Sequence, residues 1–235
     1  MRRLWPVPEE ELDQRGLLAA YPRGGQPVVR LNMVSSLDGA ATVDGRSGGL
    51  GSPADQALLG LLRAQADVVL VGAGTIRAEG YTGALIGDAL VALREAAGLA
   101  PHPRLAVVSG RLDLDPAVLT TSPVRPLLVT SAEAVVPAAF AEAADVVRAD
   151  GPAAMVAGLR GYGLAQVLCE GGPRLAGQFA AADLLDEVCL TVSPVLAGPG
   201  ASRIVAGESG TAPRRLELAH TLTDGTHLFL RYRRP

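Results

Sequence analysis

Four short segments hold the side chains able to do chemistry: Ser35-Ser36-Leu37-Asp38-Gly39, Gly72-Ala73-Gly74-Thr75, Ser109-Gly110-Arg111 and Glu170-Gly171-Gly172-Pro173-Arg174. Each follows a short apolar run and mixes small residues with a hydroxyl, a carboxylate or an arginine. The last is the sharpest. Pro173 presets the backbone of a first helical position, where its missing amide costs nothing. The two glycines leave that helix start bare, and unpaired N–H groups with an aligned peptide dipole favour an anion such as a phosphate there. Glu170 stands just before the bare end, where its carboxylate can face a substrate; the alternative is a helix-entry turn carrying an exposed acid. Gly72-Ala73-Gly74-Thr75-Ile76-Arg77 permits close backbone approach, with Thr75 able to cap a following helix whose amides face an anion. As a dinucleotide fingerprint it is weak, because Arg77 stands where the third glycine belongs. Asp38 is either a second acid or the Asp-Gly of an ordinary turn.

Chemistry that needs lysine is closed to this chain. All 21 basic residues are arginine, which excludes Schiff bases, pyridoxal attachment, a phosphate-loop lysine and a Ser-x-x-Lys nucleophile. Gly45-Arg46-Ser47-Gly48-Gly49 has the spacing of a serine-hydrolase elbow, but that elbow needs a strand directly before it and a helix directly after. Here it lies in a glycine-rich loop after Thr42-Val43-Asp44, and the next helix signal is Pro53. His102, His220 and His227 cluster neither with one another nor with Cys169 and Cys189, so no metal site is expected. Both cysteines sit in apolar stretches and read as buried strand thiols.

Ligands of open α/β sheets bind at the carboxyl ends of the strands, so the elements before these segments must position them. Residues 28–34, 67–71, 104–108, 126–129 and 165–169 are short, apolar runs, as expected of strands covered on both faces. Between them, Ser52-Pro53-Ala54-Asp55 opens a helix with Ser52 as N-cap, Pro53 at the first position and Asp55 closing a capping-box-like pair. Leu58, Leu59, Leu61 and Leu62 give that helix its buried stripe. Residues 84–97 and 173–181 are also expected to be helical. Alternating apolar strands and helices indicate βαβ units and a mainly parallel sheet. Residues 216–222 and 226–232 flank Asp224-Gly225, a strong hairpin signal. The expectation is one α/β domain over 27–235, a mainly parallel sheet flanked by helices and finished by an antiparallel hairpin. Residues 1–26, punctuated by Pro6, Pro8, Pro22, Gly24 and Gly25, read as an irregular arm packed on it.

The 235 residues suffice for a sizeable core. A net charge of −3 with only 3% aromatic residues gives neither a basic footprint nor a stacking platform for nucleic acid. No apolar run approaches the ~18 residues of a membrane span, and Met1-Arg2-Arg3-Leu4-Trp5-Pro6 lacks the apolar stretch of a signal peptide. A cytoplasmic location is expected.

Taken together, Ser36-Leu37-Asp38-Gly39, Leu61-Leu62-Arg63-Ala64-Gln65, Gly72-x-Gly74-Thr75, Glu170-Gly171-Gly172-Pro173 and Ser193-Pro194-Val195-Leu196-Ala197-Gly198 resemble, in order and spacing, the pyrimidine reductases of riboflavin biosynthesis. The resemblance runs over about residues 27–234. It implies a dihydrofolate-reductase-like fold, in a stand-alone form, since the deaminase motif His-x-Glu with Pro-Cys-x-x-Cys is missing. It implies NADPH as cofactor, held by Val34, Thr75, Glu79, Ser109, Arg111, Gly171, Gly172, Pro173, Arg174 and Leu175, with Arg111 near the 2′-phosphate. It implies that Asn32, Ser47, Arg63 and Glu170 hold the ribosyl-phosphate pyrimidine, and it implies a homodimer. Two features depart from the family pattern. Asn32 replaces the lysine of many bacterial members. The segment Arg77-Ala78-Glu79-Gly80-Tyr81-Thr82-Gly83-Ala84-Leu85-Ile86 carries Glu79 in place of an aspartate and lacks a later arginine that helps bind the substrate phosphate.

The implied reaction is hydride transfer from NADPH to C1′ of a ring-opened ribosylamino pyrimidine phosphate, giving the ribityl product. Glu170 is the first candidate to hold the substrate and assist proton movement, and Asp38 the second. A pterin reductase on the same fold would need no phosphate arginine, and a non-catalytic NADPH-binding paralogue is the alternative from another class.

Overall fold

A computed structural model describes residues 1–81, 83–207 and 213–235, so Thr82 of the divergent segment lies outside the described residues. The parallel half of the fold is laid down by β2 (Val28–Ser35), β3 (Val68–Gly72), β4 (Arg104–Val108), β5 (Leu127–Thr130), β6 (Asp145–Arg148), β7 (Gln166–Cys169) and β8 (Glu187–Val192), while β9 (Glu217–Thr223) and β10 (Leu228–Arg233) form the hairpin. With β1 (Arg2–Trp5) they make one sheet in the order β1-β9-β10-β8-β2-β7-β3-β4-β5-β6. Pairing is parallel from β8 through β6 and antiparallel from β1 to β8. The expected fold class and the strand positions of both buried thiols are thus borne out.

Period-two alternation decides which helix each strand residue meets. Val29, Leu31, Val68, Leu70, Val167 and Cys169 face α7 (Pro152–Gly161) and α8 (Pro173–Ala181), against Met155, Leu159, Leu175, Ala176 and Phe179. Val69, Leu168 and Cys189 face the other way, onto Leu58 and Leu62 of α2 (Pro53–Gln65) and onto Ala20 of α1 (Gln14–Ala20). Further along that face, Val71, Val107 and Leu128 pack against Ile76 of α3 (Ala73–Glu79), Leu119 of α5 (Ala117–Thr120) and Phe140 of α6 (Ala138–Ala143). Helix α4 (Asp88–Ala96) lies outside α2, close enough that a Cβ at Gly60 would sit 3.0 Å from Leu90 Cδ1. Each leucine fully buried in these layers contributes about 1.5–3 kcal/mol.

Local rules mostly hold. Ser52 Oγ accepts the Asp55 N–H at 3.1 Å, as an N-cap should. The Asp55 carboxylate does not return to Ser52, however; it accepts the Thr191 hydroxyl at 2.6 Å across the sheet. Burial holds the Asp55 acid above its usual range, offset in part by that hydroxyl. The helix expected over 84–97 starts only at Asp88, with Gly87 as its N-cap, because the chain is still turning through Gly83 in a left-handed conformation. Thr75 caps nothing: α3 begins at Ala73, and Thr75 lies inside it.

The first 26 residues are not an irregular arm. Strand β1 pairs with β9 at the sheet edge, and α1 is capped by Asp13, whose Oδ1 accepts the Gly16 N–H at 2.7 Å. Tyr21, just after α1, is buried with its ring edge-on to His220 of β9, centroids 4.6 Å apart. The Pro-rich spacing hid a strand because an edge strand needs a partner on only one side.

Candidate active site

Parallel pairing brings the ends of β8, β2, β7, β3 and β4 to one edge of the sheet, in that spatial order. Glu170 follows β7 at the centre, its N–H bonded to Leu70 O at 2.9 Å. Its side chain is buried, and Arg63 meets it with two parallel bonds: Nε to Oε1 at 2.7 Å and Nη2 to Oε2 at 2.7 Å. Such planar two-point pairing is the strongest form of this contact. Arg63 also donates Nη1–H to Leu85 O at 3.1 Å. Burial by itself would lower the Arg63 guanidinium, but the bonds and charge of Glu170 outweigh it and hold the group above its ordinary range. Arg63 is therefore a largely buried partner of Glu170.

A residue that the motifs do not include completes this pair. Tyr81 donates its hydroxyl to Glu170 Oε2 at 2.5 Å, and the Arg63 guanidinium carbon lies 5.3 Å from the Tyr81 ring centre. Burial, then the Glu170 charge, pushes the phenol well above its usual range, so it is a donor at any working pH. A lone tyrosine in a glycine-containing turn has no periodicity to mark it.

Beside this cluster the loops after β3 and β7 are laced together: Gly72 N–H donates to Gly171 O at 2.7 Å. The Gly171–Gly172 peptide is cis and Gly171 has φ +76°. Side chains here would crowd their neighbours. A Cβ at Gly171 would lie 2.9 Å from Met33 Sδ, and one at Gly172 would lie 2.9 Å from Thr75 Oγ1. Gly172 is the N-cap of α8 and offers no side chain, so the amides of Arg174 and Leu175 precede the first helical bond, Ala176 N–H to Gly172 O. Two amides without a partner among the described residues, a glycine cradle and the positive end of a nine-residue helix suit a phosphate or a polar ring edge. Arg174 is exposed at this start, whereas the Leu175 side chain is buried in the core and leaves only its amide for a ligand.

The remaining expected residues take distinct places. Asn32 and Val34 are half-buried on β2, opposite Cys189 and Thr191 of β8. Ser47 and Glu79, assigned to different ligands from sequence, are joined: the Ser47 N–H donates to Glu79 Oε1 at 2.8 Å. Ser47 follows a tight turn in which Val43 and Arg46 exchange backbone bonds, and it precedes a single 3-10 turn, Gly48–Leu50, so the strand–elbow–helix of a serine hydrolase is not formed there. Ser109 is buried after β4, its N–H on Val129 O at 2.9 Å, and Arg111 is exposed two residues on.

Asp38 is engaged elsewhere. Its carboxylate accepts the Ser36 hydroxyl at 2.5 Å, the Gly198 N–H at 2.8 Å and the Ala197 N–H at 3.1 Å. The Ser36 hydroxyl first, then the two amides, hold the acid down at about 2. It fastens the loop after β2 to the loop after β8.

The site is thus an acid–arginine pair beside a glycine cradle at the strand ends of a mainly parallel α/β sheet. The family model described as the RibD C-terminal domain matches residues 27–230, and the chain belongs to that family. The motif resemblance is thereby borne out. The riboflavin biosynthesis protein RibD of Mycobacterium tuberculosis is 32% identical over 178 residues, which are 75% of this chain and 44% of that protein. The chain thus spans less than half the length of this relative. A pyrimidine reductase-like protein from Corynebacterium diphtheriae superposes with a TM-score of 0.78 at 26% identity, covering 92% of this chain and 94% of that one. A diaminohydroxyphosphoribosylaminopyrimidine deaminase/5-amino-6-(5-phosphoribosylamino)uracil reductase from Thermotoga maritima shares the fold, with a TM-score of 0.69 at 18% identity over 93% of this chain and 60% of that one.

Proposed function

We propose that this chain is an NADPH-dependent pyrimidine reductase that converts a 5-phosphoribosylamino pyrimidine to its ribitylamino form in riboflavin biosynthesis. Family membership supports the reductase class, and the name of the Thermotoga maritima relative supports the substrate. The observation that carries the reading is the Arg63–Glu170 pair set directly beside the Gly171–Gly172 cradle, a polar anchor next to a bare helix start.

The cradle fits a nicotinamide cofactor on its own chemistry. The absent side chains at Gly171 and Gly172 leave backbone free to meet a ring or a phosphate, with Thr75, Arg174 and the Leu175 amide around it. Ser109 and Arg111, after the neighbouring strand, would hold the adenosine end, with Arg111 as the cation for a 2′-phosphate. When bound, NADPH supplies the hydride. The residues of the chain supply orientation, which accounts for most of the catalytic effect expected in such a transfer.

Glu170 and Arg63 hold the pyrimidine, with Asn32 on β2 and Ser47 flanking them. Glu170 acts as a fixed anion in this scheme, since three donors already occupy its oxygens. Asp38 shapes the wall of the site by tying two loops. A cytoplasmic homodimer is the accompanying expectation for the assembled protein.

The test is NADPH oxidation by purified protein, with the phosphoribosylamino pyrimidine and dihydrofolate run side by side. Turnover of the pyrimidine is expected. Turnover of dihydrofolate alone would move the fold to pterin chemistry. Cofactor binding without oxidation on either would leave a binding protein.

A further inference from the structure

We infer that Tyr81 is a positioning residue of this site: its hydroxyl, anchored on Glu170 Oε2, fixes the acid–arginine pair in the orientation that meets the substrate. This inference rests on the reductase reading above.

The turn at Gly80 is what places the tyrosine. This glycine ends α3 in a left-handed conformation, φ +71°, and returns its N–H to Ile76 O at 3.0 Å. The turn carries the next residue back under α2, so the Tyr81 ring reaches the Arg63 guanidinium, 5.3 Å away, while its flank packs on the cluster around Ile76. The hydroxyl then meets Glu170 Oε2 at 2.5 Å.

Counting lone pairs and protons shows what that bond adds. Glu170 Oε1 accepts one bond and Oε2 accepts two, from three donors on two separate elements. Arg63 spends Nε and one proton each of Nη2 and Nη1, the last on Leu85 O. A guanidinium has five N–H groups, so among the described residues one on each terminal nitrogen remains for a ligand. Two parallel bonds fix the carboxylate to the arginine and Leu85 O holds one end of the guanidinium, but the carboxylate end keeps freedom to pivot. A third bond, from an aromatic ring set by a different helix end, removes that freedom. The free N–H groups and the open lone pair of Oε1 therefore face the site in one arrangement. Burial and the Glu170 charge hold the phenol above its usual range, which keeps its hydroxyl a donor to Oε2.

Two measurements decide the matter. The first reads the hydroxyl proton of Tyr81 by NMR in the cofactor-free protein. A downfield, slowly exchanging signal is expected in the wild type, lost in Tyr81→Phe and moved upfield in Glu170→Gln. A missing signal, or one unmoved in Glu170→Gln, overturns the contact. The second is kinetic. Tyr81→Phe keeps the ring over Arg63 and removes only the hydroxyl. It should lower kcat with the pyrimidine by about 10- to 100-fold, the scale of a misplaced catalytic group, while the NADPH Kd stays within twofold. Added to Glu170→Gln it should cause no further loss, because its effect runs through that acid. Multiplying losses in the double variant, or equal losses in kcat and NADPH affinity, would overturn the role. A wild type that turns over no pyrimidine removes the reductase reading and this role with it, and is told apart from failure of the contact by the proton signal.

Discussion

Asp38 and Glu170 show how two acids that look alike in sequence are given different work by their donors. Hydroxyl and amide bonds to Asp38 come from its own turn and from the loop after β8, so its negative charge is a fastener. Those to Glu170 come from an arginine of α2 and a tyrosine just after α3, so its charge sits at the proposed binding site. Motif spacing could flag both acids, because Asp-Gly and Glu-Gly-Gly-Pro are local patterns. It could not rank them, because the deciding partners lie 160 and 89 residues away in the chain. Tyr81 was illegible for the same reason: its meaning is a contact. A third titratable residue gives a testable pH effect. Burial first, then the nearby Arg231 and Arg3 charges, push His220 down to about 4. The folded chain refuses a proton that the unfolded chain takes at about pH 6.5, so stability rises with pH across this window. Acidifying from about pH 6.5 to about pH 4 should remove about 3 kcal/mol through this one group. Urea unfolding at pH 7 and pH 4.5 should show that loss in the wild type and a shallower one in His220→Gln; parallel slopes would refute it.

Among the elements, the parallel strands were legible because cover on both faces makes them mostly apolar: 67–71, 104–108 and 165–169 read as strands from their residue types alone. The short elements were not. β6, Asp145–Arg148, is a four-residue edge strand with a charge at each end, and α6, Ala138–Ala143, buries only Phe140. Such pieces exist because neighbours hold them, which propensity cannot see. Helix α8 shows the same dependence from the other side. Its Gly177 lies under the segment after β8, where Ala206 N–H bonds to Pro173 O at 3.0 Å and an added Cβ would fall 2.0 Å from Ala206 O. No rotamer relieves a clash with backbone, so Gly177→Ala must lift that segment off the helix. A loss of about 1–3 kcal/mol is expected, or roughly 2–4 °C in Tm per kcal/mol for a chain this size. Calorimetry that finds an unchanged Tm would show that the segment is not held there.

At the level of the whole molecule, the residues proposed to bind ligands belong to the parallel half, while β1, β9 and β10 pair antiparallel beyond β8. Removing the first eight residues should therefore spare turnover and damage solubility. The β9 edge, Glu217–Thr223, would lose the bonds that β1 now makes to it and present open amides to other molecules. Light scattering should rise steeply with concentration in the shortened form, and a truncated protein as monodisperse as the parent would contradict this. The position of β10 has a further consequence, for the order in which the molecule is made. It lies between β8 and β9 and bonds to both, so neither can join the other before it arrives. Every parallel strand has been synthesised by Val192, and with them Glu170, Arg63 and Tyr81. The antiparallel half has to wait for residues 228–233. Until residues 217–223 are made, β1, the first strand synthesised, has no strand to pair with.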